Sequence, residues 1–203
     1  MSEARRLILA SASSARRGML RAAGVDCEIV PAEIDEARIT QELVAANTAV
    51  AAGDVAAVLA CEKARSVSGA APDAWVIGAD QVLALGRHFV VKAATREEAR
   101  KTLQTLRGET HELVSAVALA KAGTVIWQGV DRARLTMRDF SEAFLDDYLA
   151  RAGAQVLGAV GCYELEGLGA QLFENIDGDY FTILGMPLLP LLAELRERGV
   201  IVR

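Results

Sequence analysis

The sequence contains few cysteines, and their placement argues against two kinds of structural site. Cys27, Cys61 and Cys162 are the three cysteines of the 203-residue chain. They are odd in number and far apart, with no CxxC pair and no histidine at ligand spacing, so the pattern supports neither a disulfide framework nor a zinc site. We expect buried free thiols, which are typical of the reducing cytoplasm.

Long apolar runs are also missing. The polar segment 1–6 leads into the four-residue run Leu7–Ala10, which is too short for the core of a signal peptide. The apolar stretch 49–60 is interrupted by Gly53 and Asp54, and no stretch reaches the roughly 18 apolar residues that a membrane span needs. The sequence therefore predicts a cytoplasmic protein without a membrane partner.

An excess of positive charge is the third absence. The chain has 22 lysines and arginines against 27 aspartates and glutamates, interleaved along its length, for a net charge of −5. Proteins that bind long nucleic acids usually present a basic face. We therefore expect no nucleic-acid polymer as a partner, whereas a small charged substrate held by a few cations is compatible with this balance.

The composition is sufficient for a well-filled core, since 52% of the residues are hydrophobic. The chain shows no internal repeat, low-complexity tract or linker, and its length fits one domain. We predict a single domain over residues 1–203, with two lobes around one cleft.

The order of apolar and polar patterns predicts a mixed α/β fold. Strands are predicted at 7–10, 27–30, 75–79 and 171–173, in a hairpin of 82–85 with 89–91, and in a long hairpin of 112–121 with 124–137 that turns at Ala122–Gly123. Helices are predicted at 15–23, at 40–67 as two helices parted near Gly53, from Thr95 to Gly108, from Ser141 to Ala152, and at 187–198.

A serine-rich loop between the first strand and the first helix is a candidate phosphate site. Ser11, Ser13 and Arg16 lie in it. A helix N-terminus presents free N–H groups and a positive dipole end, and a guanidinium can bind phosphate oxygens through two parallel hydrogen bonds. The alternative is a serine N-cap before a surface helix with solvated arginines.

Asp80 follows the apolar run Trp75–Ala79 and is a candidate metal ligand or base. Ligands of open α/β sheets gather at the carboxyl ends of strands, where this side chain is expected. A carboxylate there could bind magnesium or take a proton from water. The alternative is a turn aspartate at the start of a hairpin.

Other charged groups are ambiguous when each is taken alone. The acidic segment 33–36 could bind a cation or be a solvated loop, and Lys63 and Lys92 could be ordinary surface lysines. Glu166 precedes glycines that would let the backbone approach a flat ligand, or would only form a turn. His88 and His111 show no partner for a catalytic triad.

The order and spacing of the motifs are more specific than any one of them. In chain order they are Leu7-Ile8-Leu9-Ala10-Ser11-x-Ser13-x-x-Arg16-Arg17, Glu33-Ile34-Asp35-Glu36, Glu62-Lys63-Ala64, Ile77-Gly78-Ala79-Asp80-Gln81, Lys92, Leu106-x-Gly108 with His111, Glu166-Gly167-x-Gly169 and Gly185-Met186-Pro187-Leu188. This series resembles the Maf family from Leu7 to about Arg198.

The resemblance implies an enzyme that hydrolyses a nucleoside triphosphate to the monophosphate and pyrophosphate with a divalent cation, Mg²⁺ or Mn²⁺. It also implies an elongated mixed sheet with flanking helices and a central cleft, related to the inosine triphosphatase group, and a homodimer. By position, Asp80 resembles the proton acceptor. Residues matching the substrate- and metal-handling positions are Ser11, Ser13, Arg16, Lys63, Lys92 and Asp35, with Asp80 as a second candidate metal ligand.

Three positions, Ala15, Gln81 and Glu166, fall where the subfamilies differ in base preference. Gln81 with Glu166 resembles the subfamily that acts on 7-methyl-GTP, and one carboxylate can accept both donors of a guanine edge. Ala15 departs from the family, because an aromatic side chain there would stack on the cationic methylated ring. The preferred base therefore stays open.

This sequence also departs from the family pattern at Ser14 and Ala93, where the family usually has proline. Asp80 could act as the base or as a metal ligand, and the sequence does not separate these roles. Three other functions compete with hydrolysis of a nucleotide: a non-catalytic nucleotide-binding regulator of septum formation and cell division, a hydrolase of another phosphorylated metabolite, and a structural domain. The complete set Asp80, Lys63 and Lys92 favours the enzyme.

Overall fold

The computed structural model describes residues 5–202, so residues 1–4 and 203 of the predicted domain lie outside the described part. The strands of this part are β1 (Leu7–Leu9), β2 (Glu28–Ile29), β3 (Trp75–Leu85), β4 (His88–Val90), β5 (Thr110–Lys121), β6 (Thr124–Met137) and β7 (Phe173–Asp177). Its α-helices are α1 (Ser14–Ala22), α2 (Glu36–Ala46), α3 (Ala52–Ala70), α4 (Arg96–Leu106), α5 (Glu142–Ala152), α6 (Tyr180–Ile183) and α7 (Leu188–Glu197).

The strands form one mixed sheet in the order β2-β1-β3-β5-β6-β7, and β4 pairs with β3 outside this path. β1 runs parallel to β2 and β3, whereas the pairs β3–β5, β5–β6 and β6–β7 are antiparallel. The predicted mixed α/β class is confirmed.

Strand β3 has a gap in its strand pairing along the edge that faces β1 and β4. Its first residues pair with β1 up to Ile77, and its last residues pair with β4 from Leu83 onward. Within the described residues, positions 78–82 have no strand partner on this edge. Both faces of the sheet are therefore accessible from one opening at this point.

Helix α3 packs closely on one face of β3 and β5. Small residues line the contact, and a Cβ at Gly78 would overlap the Ala60 carbonyl oxygen and contact the Ala64 nitrogen at 2.6 Å. Only glycine allows the helix backbone to come so near. The side chain of Lys63, on the turn of α3 next to this contact, is thereby brought against β3.

The apolar core has separate clusters on the two faces and at the two ends of the sheet. One joins α4 and α5 to the far half of β3, β5 and β6, and another joins α1 and α7 to β1 and the near half of β3.

The three thiols are free, but only Cys162 is buried, so the expectation of three buried thiols is wrong for Cys27 and Cys61. None of the described helices combines the length and apolar character needed to cross a membrane.

Several local signals in the sequence are confirmed. The long hairpin turns at Ala122 and Gly123, which both have positive φ angles, 49° and 76°. Thr95 caps α4 by accepting a hydrogen bond from the Glu98 nitrogen at 3.1 Å, and Ser141 caps α5. These features depend on adjacent residues alone.

Other boundaries differ from the prediction. β3 continues without a break from Trp75 through Asp80 to Leu85, because it pairs with β5 from Trp75 to Ala84. α2 begins at Glu36 in the charged segment where no helix was predicted. α2 and α3 are parted at 47–51, near Gly53 as predicted, and Gly53 is the second residue of α3. The last strand is displaced to 173–177, and the short helix α6 was not predicted.

Candidate functional site

A cavity of about 1190 Å³ lies across the gap in β3. Asp80 and Gln81 are consecutive and point to opposite faces of the strand, yet both line this cavity because the edge between those faces is open. Of the residues named from the sequence, those lining the cavity are Ser11, Ser13, Ala15, Arg16, Lys63, Asp80, Gln81, Lys92 and Glu166. Asp35 is not among them.

Asp80 and Lys63 form a buried ion pair at the inner end of the cavity. The Lys63 Nζ lies 2.6 Å from Asp80 Oδ1 and 2.9 Å from Glu36 Oε1. The side chains of Lys63 and Asp80 are 10% and 9% exposed, whereas that of Glu36 is 54% exposed. Burial of both charges is compensated by their direct contact, since an unpaired buried charge is very unfavourable.

The structure separates Asp35 from the cavity and brings Glu36 to it. Asp35 is exposed and caps α2, with its Oδ1 accepting from the Arg38 nitrogen at 2.9 Å. Aspartate is favoured at an N-cap, and the next residue is the first of the helix. That preference is a sequence signal that could have assigned Asp35 to the cap and left Glu36 as the carboxylate free to face Lys63.

The serine-rich loop combines the two interpretations proposed from the sequence. Ser13 caps α1, and its Oγ accepts from the Arg16 nitrogen at 3.3 Å. The Ser11 Oγ accepts from the Ser13 nitrogen at 3.2 Å. Both serines nevertheless line the cavity, so the N-terminus of α1 and its remaining N–H groups face the enclosed space.

Arg16 is held by the protein on three sides. Its Nε donates to the Gly185 carbonyl at 2.8 Å, and its Nη1 donates to the Ala79 carbonyl at 2.9 Å and to Ser11 Oγ at 3.2 Å. The Nη2 group makes no hydrogen bond within residues 5–202. Burial lowers the pKa of the Arg16 guanidinium, and the negative charges of Asp80 and Glu36 oppose that shift.

Gln81 is anchored through its amide nitrogen. Nε2 donates to Ser115 Oγ at 3.0 Å, to the Thr182 carbonyl at 3.1 Å and to the Ile183 carbonyl at 3.0 Å. Ser115 and Thr182 are fully buried and were not identified from the sequence. The strand register that pairs Gln81 with Ser115 is a tertiary feature with no local signal.

The rim of the cavity is different in character. Lys92 and Glu166 are exposed, and neither makes a hydrogen bond or ion pair with any described residue. Ala15 offers only a methyl group. The charged ends of Lys92 and Glu166 are therefore free to contact a ligand.

Tyr163 is a further cavity residue that the sequence did not indicate. Its hydroxyl lies 2.7 Å from His111 Nε2, and its ring packs edge-on against Phe173 with centroids 4.8 Å apart. Burial lowers the pKa of His111 to about 4 and raises that of Tyr163. His111 is therefore neutral near pH 7 and supports the cavity wall. Its hydrogen-bond partner is Tyr163 and not the serine or cysteine that a catalytic triad would need.

The carboxylates at the inner end could hold a hard cation only together with ligands from the substrate. No group of three or more potential metal-ligating side chains occurs among residues 5–202. Glu36 and Asp80 each place one oxygen within 3 Å of the same Lys63 nitrogen. Magnesium is commonly held by one or two carboxylates with substrate phosphates completing its shell, and these two side chains fit that arrangement.

The charges divide the cavity into two ends. The inner end combines Arg16, Lys63 and the N-terminus of α1, which suit a polyphosphate. Asp80 lies beside them with Oδ1 bonded to Lys63, and its Oδ2 makes no hydrogen bond to a described residue. This oxygen is available to accept a proton from water.

Comparisons with known proteins identify relatives that match nearly the whole chain. A sequence profile described as "Maf-like protein" matches residues 6–198. The chain is 50% identical over 192 residues to a nucleoside triphosphate pyrophosphatase of Granulibacter bethesdensis, covering 95% of this chain and 96% of that protein. It is 49% identical over 196 residues to a 7-methyl-GTP pyrophosphatase of Mesorhizobium japonicum, covering 97% and 98%.

Among solved structures, the chain is similar to a nucleoside-triphosphatase / dITP/XTP pyrophosphatase of Mycobacterium abscessus. The TM-score is 0.39 and the sequence identity 15%, over 96% of this chain and 95% of that one.

Proposed function

The chain belongs to the Maf family, and from this premise we propose that it hydrolyses nucleoside triphosphates to the monophosphate and pyrophosphate. Two relatives that match nearly the whole chain are named as a nucleoside triphosphate pyrophosphatase and a 7-methyl-GTP pyrophosphatase, which supports this activity. The observation that supports it most strongly is the buried Lys63–Asp80 pair at the inner end of the cavity, beside the fixed guanidinium of Arg16.

The cations would place the triphosphate. Arg16 and Lys63 bind phosphate oxygens at the inner end, and Lys92 reaches them from the rim. Since Arg16 and Lys63 are held in place before the substrate binds, they stabilise the negative charge that develops on the leaving pyrophosphate. Lys63 also contacts Asp80 directly, at 2.6 Å.

Asp80 would act on the attacking water. The free Oδ2 accepts a proton as the water oxygen attacks the α-phosphorus in line with the bond to the bridging oxygen. The bond between the α-phosphorus and that oxygen breaks, and the electron pair leaves with pyrophosphate. General base catalysis of this kind contributes about 10²–10⁴-fold to the rate.

A divalent cation is part of this proposal. Asp80 and Glu36, together with phosphate oxygens, would hold it, whereas Asp35 caps α2 outside the cavity. A cation bound there would supply neutralisation of phosphate charge and polarisation of the reacting phosphoryl group. Replacing Glu36 with glutamine is expected to raise the Mg²⁺ concentration needed for half-maximal activity. It should also weaken Mn²⁺ binding measured by electron paramagnetic resonance.

The base preference rests on Glu166. An ionised carboxylate at the rim accepts the two adjacent donors of a guanine edge and opposes the carbonyl oxygens of uracil or thymine. The similarity to a 7-methyl-GTP pyrophosphatase supports guanine-type substrates. Ala15 provides no aromatic ring for a methylated base, so we propose that GTP and 7-methyl-GTP are both accepted.

The decisive experiment is an assay of the purified protein with GTP, 7-methyl-GTP, ATP, UTP and dTTP, each with Mg²⁺ or Mn²⁺. We expect release of pyrophosphate and nucleoside monophosphate in equal amounts. Release of orthophosphate would indicate cleavage at another phosphate, and binding without any product would favour a regulator instead of an enzyme.

Two further expectations stay predictions. Homodimerisation is testable by light scattering coupled to size-exclusion chromatography, and a cytoplasmic location by fractionation of cells that produce the protein.

A further inference from the structure

We propose that the cavity contains a site for a second nucleoside, and that the protein also hydrolyses dinucleoside triphosphates, in which three phosphates join two nucleosides. This site is a pocket between α2, α3 and β4, here called the α2 pocket. Its lining residues are Ala37, Thr40, Gln41, Leu59, Val82 and Phe89. The inference rests on the proposed function, because the same Asp80 and the same phosphate-binding groups would cleave this further class of substrate.

The cavity extends to both faces of β3. Val82 points to the face covered by α3, where it packs with Leu59 and Phe89. Tyr163 lines the cavity on the opposite face, with the cluster of α4 and α5. Since residues 78–82 leave the edge of β3 open, a ligand can pass from one face to the other. The cavity thus has one compartment on each face of the sheet, and the two are joined at the phosphate-binding inner end.

A nucleoside triphosphate accounts for only one of these compartments. In the proposed function its base lies at Glu166 and its phosphates lie at Arg16 and Lys63. Leu59 is one helical turn from Lys63 on α3, and both residues line the cavity, so the α2 pocket adjoins the phosphate-binding end. Leu59 and Val82 offer a phosphate neither charge nor a hydrogen bond. The pocket therefore suits another part of a ligand.

The chemistry of the α2 pocket fits a nucleoside. Phe89 is half-buried in its wall, and the ring pairs with no other aromatic ring among residues 5–202. Bases of every kind stack on aromatic side chains. Gln41 is exposed and its amide makes no hydrogen bond to a described residue, so it can donate to and accept from a base or a ribose. The cavity of about 1190 Å³ also exceeds the roughly 300–1,000 Å³ of ordinary small-molecule pockets, which leaves room for two nucleosides.

The charges at the inner end suit a terminal phosphate that carries a nucleoside. Arg16 and Lys63 are balanced there by Asp80 and Glu36, whose carboxylates lie 2.6 and 2.9 Å from the Lys63 nitrogen. A free terminal phosphate has a charge of about −1.5 to −2 at pH 7. A terminal phosphate joined to a second nucleoside has a single negative charge. The four side chains have no net charge among them and accommodate the less charged phosphate more readily.

The reaction differs from the one already described only in its leaving group. Water attacks the α-phosphorus of the nucleoside whose base lies at Glu166, and Asp80 accepts the proton. The bond between that phosphorus and the bridging oxygen breaks, and the electron pair leaves with a nucleoside diphosphate in place of pyrophosphate. GpppA, in which a triphosphate joins the 5′ positions of guanosine and adenosine, would therefore yield GMP and ADP.

The test compares GpppA with the γ-methyl ester of GTP, which carries the same charge and lacks the second nucleoside. Products and kcat/KM for both compounds would be measured by liquid chromatography with Mg²⁺. Phe89→Leu keeps an apolar side chain and removes the ring. Phe144→Leu is the matched control, since Phe144 is a half-buried phenylalanine of α5 outside the cavity. Gln41→Ala changes an exposed residue of the same pocket and does not depend on packing.

We expect the wild type to convert GpppA to GMP and ADP, with a kcat/KM above that of the methyl ester. Phe89→Leu should lower the ratio of kcat/KM for GpppA over the methyl ester about fivefold, as for loss of a stacked ring. Gln41→Ala should lower the same ratio about twofold to fivefold, as for loss of one hydrogen bond. Phe144→Leu should leave the ratio unchanged.

Hydrolysis of GTP without cleavage of GpppA would overturn the inference and leave the proposed function intact. AMP and GDP as the main products would also overturn it, because adenosine would then lie at Glu166. A ratio that neither Phe89→Leu nor Gln41→Ala lowers would show that the second nucleoside lies elsewhere. Should Phe89→Leu fail to fold, Gln41→Ala decides.

If the wild type hydrolyses no nucleotide at all, the proposed function fails and the second activity fails with it. The nucleoside site is then decided by calorimetry with the same two compounds. Tighter binding of GpppA than of the methyl ester, lost in Phe89→Leu or Gln41→Ala, would support the site. Equal binding of the two compounds would overturn it.

Discussion

The side chains at the inner end of the cavity are bonded to other protein groups, whereas Lys92 and Glu166 at its rim are bonded to no described residue. Lys63 and Asp80 are buried and bonded to each other, and Arg16 is tied to three protein acceptors. Lys92 and Glu166 are exposed and have no partner among residues 5–202. The phosphate-binding groups at the inner end are thus in place before a ligand arrives, whereas Lys92 and Glu166 at the rim take their partners from the ligand. Substitutions at the inner end should accordingly be the more damaging.

Asp80→Asn is expected to have the largest effect. An amide can neither take a proton from water nor bind a hard cation well, so kcat should fall about 100-fold or more. The fold should persist, because Glu36 still neutralises Lys63 at 2.9 Å. The measurements are steady-state turnover of GTP and a thermal melt. Near-normal turnover would show that Asp80 takes no part in the chemistry, and the proposed difference between the inner end and the rim would then be wrong.

Arg16→Ala should rank second. It removes a guanidinium held in place for the phosphates, and losing one such donor costs a few kcal/mol of transition-state stabilisation, equivalent to roughly 30-fold or more in kcat/KM. Arg21→Ala is the matched control, since Arg21 is exposed on the same helix and does not line the cavity. Equal and small effects of both changes would mean that Arg16 only ties the fold together.

Lys92→Ala should have an intermediate effect of about tenfold on KM, and this effect should depend on salt. An exposed cation is screened by ions, whereas the enclosed charges are screened much less. Comparing KM at about 0.05 M and 0.5 M salt should therefore show the penalty shrinking for Lys92→Ala and persisting for Arg16→Ala. Lys101→Ala, on α4 outside the cavity, serves as the control. A salt-independent penalty for Lys92→Ala would mean that Lys92 is enclosed once substrate binds.

Ala15→Trp should produce a small change, confined to base preference. An indole at the rim should stack on the positively charged ring of 7-methyl-GTP and raise its kcat/KM relative to GTP about threefold to fivefold, consistent with a cation–π contact of 0.5–1 kcal/mol. Ala22→Trp, exposed at the end of the same helix, is the control. An unchanged ratio would show that position 15 does not face the base.

Glu166→Gln tests the other half of the rim. Exchanging the carboxylate for an amide should reduce the preference for GTP over UTP severalfold, because an amide also satisfies a pyrimidine edge. The readout is the ratio of kcat/KM for the two nucleotides. A wild type that already prefers UTP would contradict the assignment of Glu166 to guanine.

Residues with local signals were predictable. Ser13, Thr95 and Ser141 cap helices because each side chain reaches an N–H three residues later. Asp80 was placed at the cavity because it follows an apolar strand. β3 itself was cut short in the prediction, since its continuation through Asp80 depends on pairing with β5, and nothing within the strand indicates that partner.

Contacts between distant residues required the structure. The Glu33–Glu36 segment offered several carboxylates, and only the packing of α2 against α3 shows that Glu36 contacts Lys63. Gln81 was recognised by its position in a motif, but its anchoring by Ser115 and by two carbonyls more than 100 residues away has no trace in its neighbours.

The sequence by itself determined most of the elements, the caps, the turn of the long hairpin and the set of charged side chains, because each follows from interactions between neighbours along the chain. The tertiary structure decided which of those charges meet. Lys63 and Asp80 are 17 residues apart and pair because Gly78 lets α3 approach β3 closely. Asp80 and Gln81 share a cavity because β1 and β4 leave the edge of β3 open between them. Such contacts depend on strand register and helix packing, which are set by the burial of the whole core.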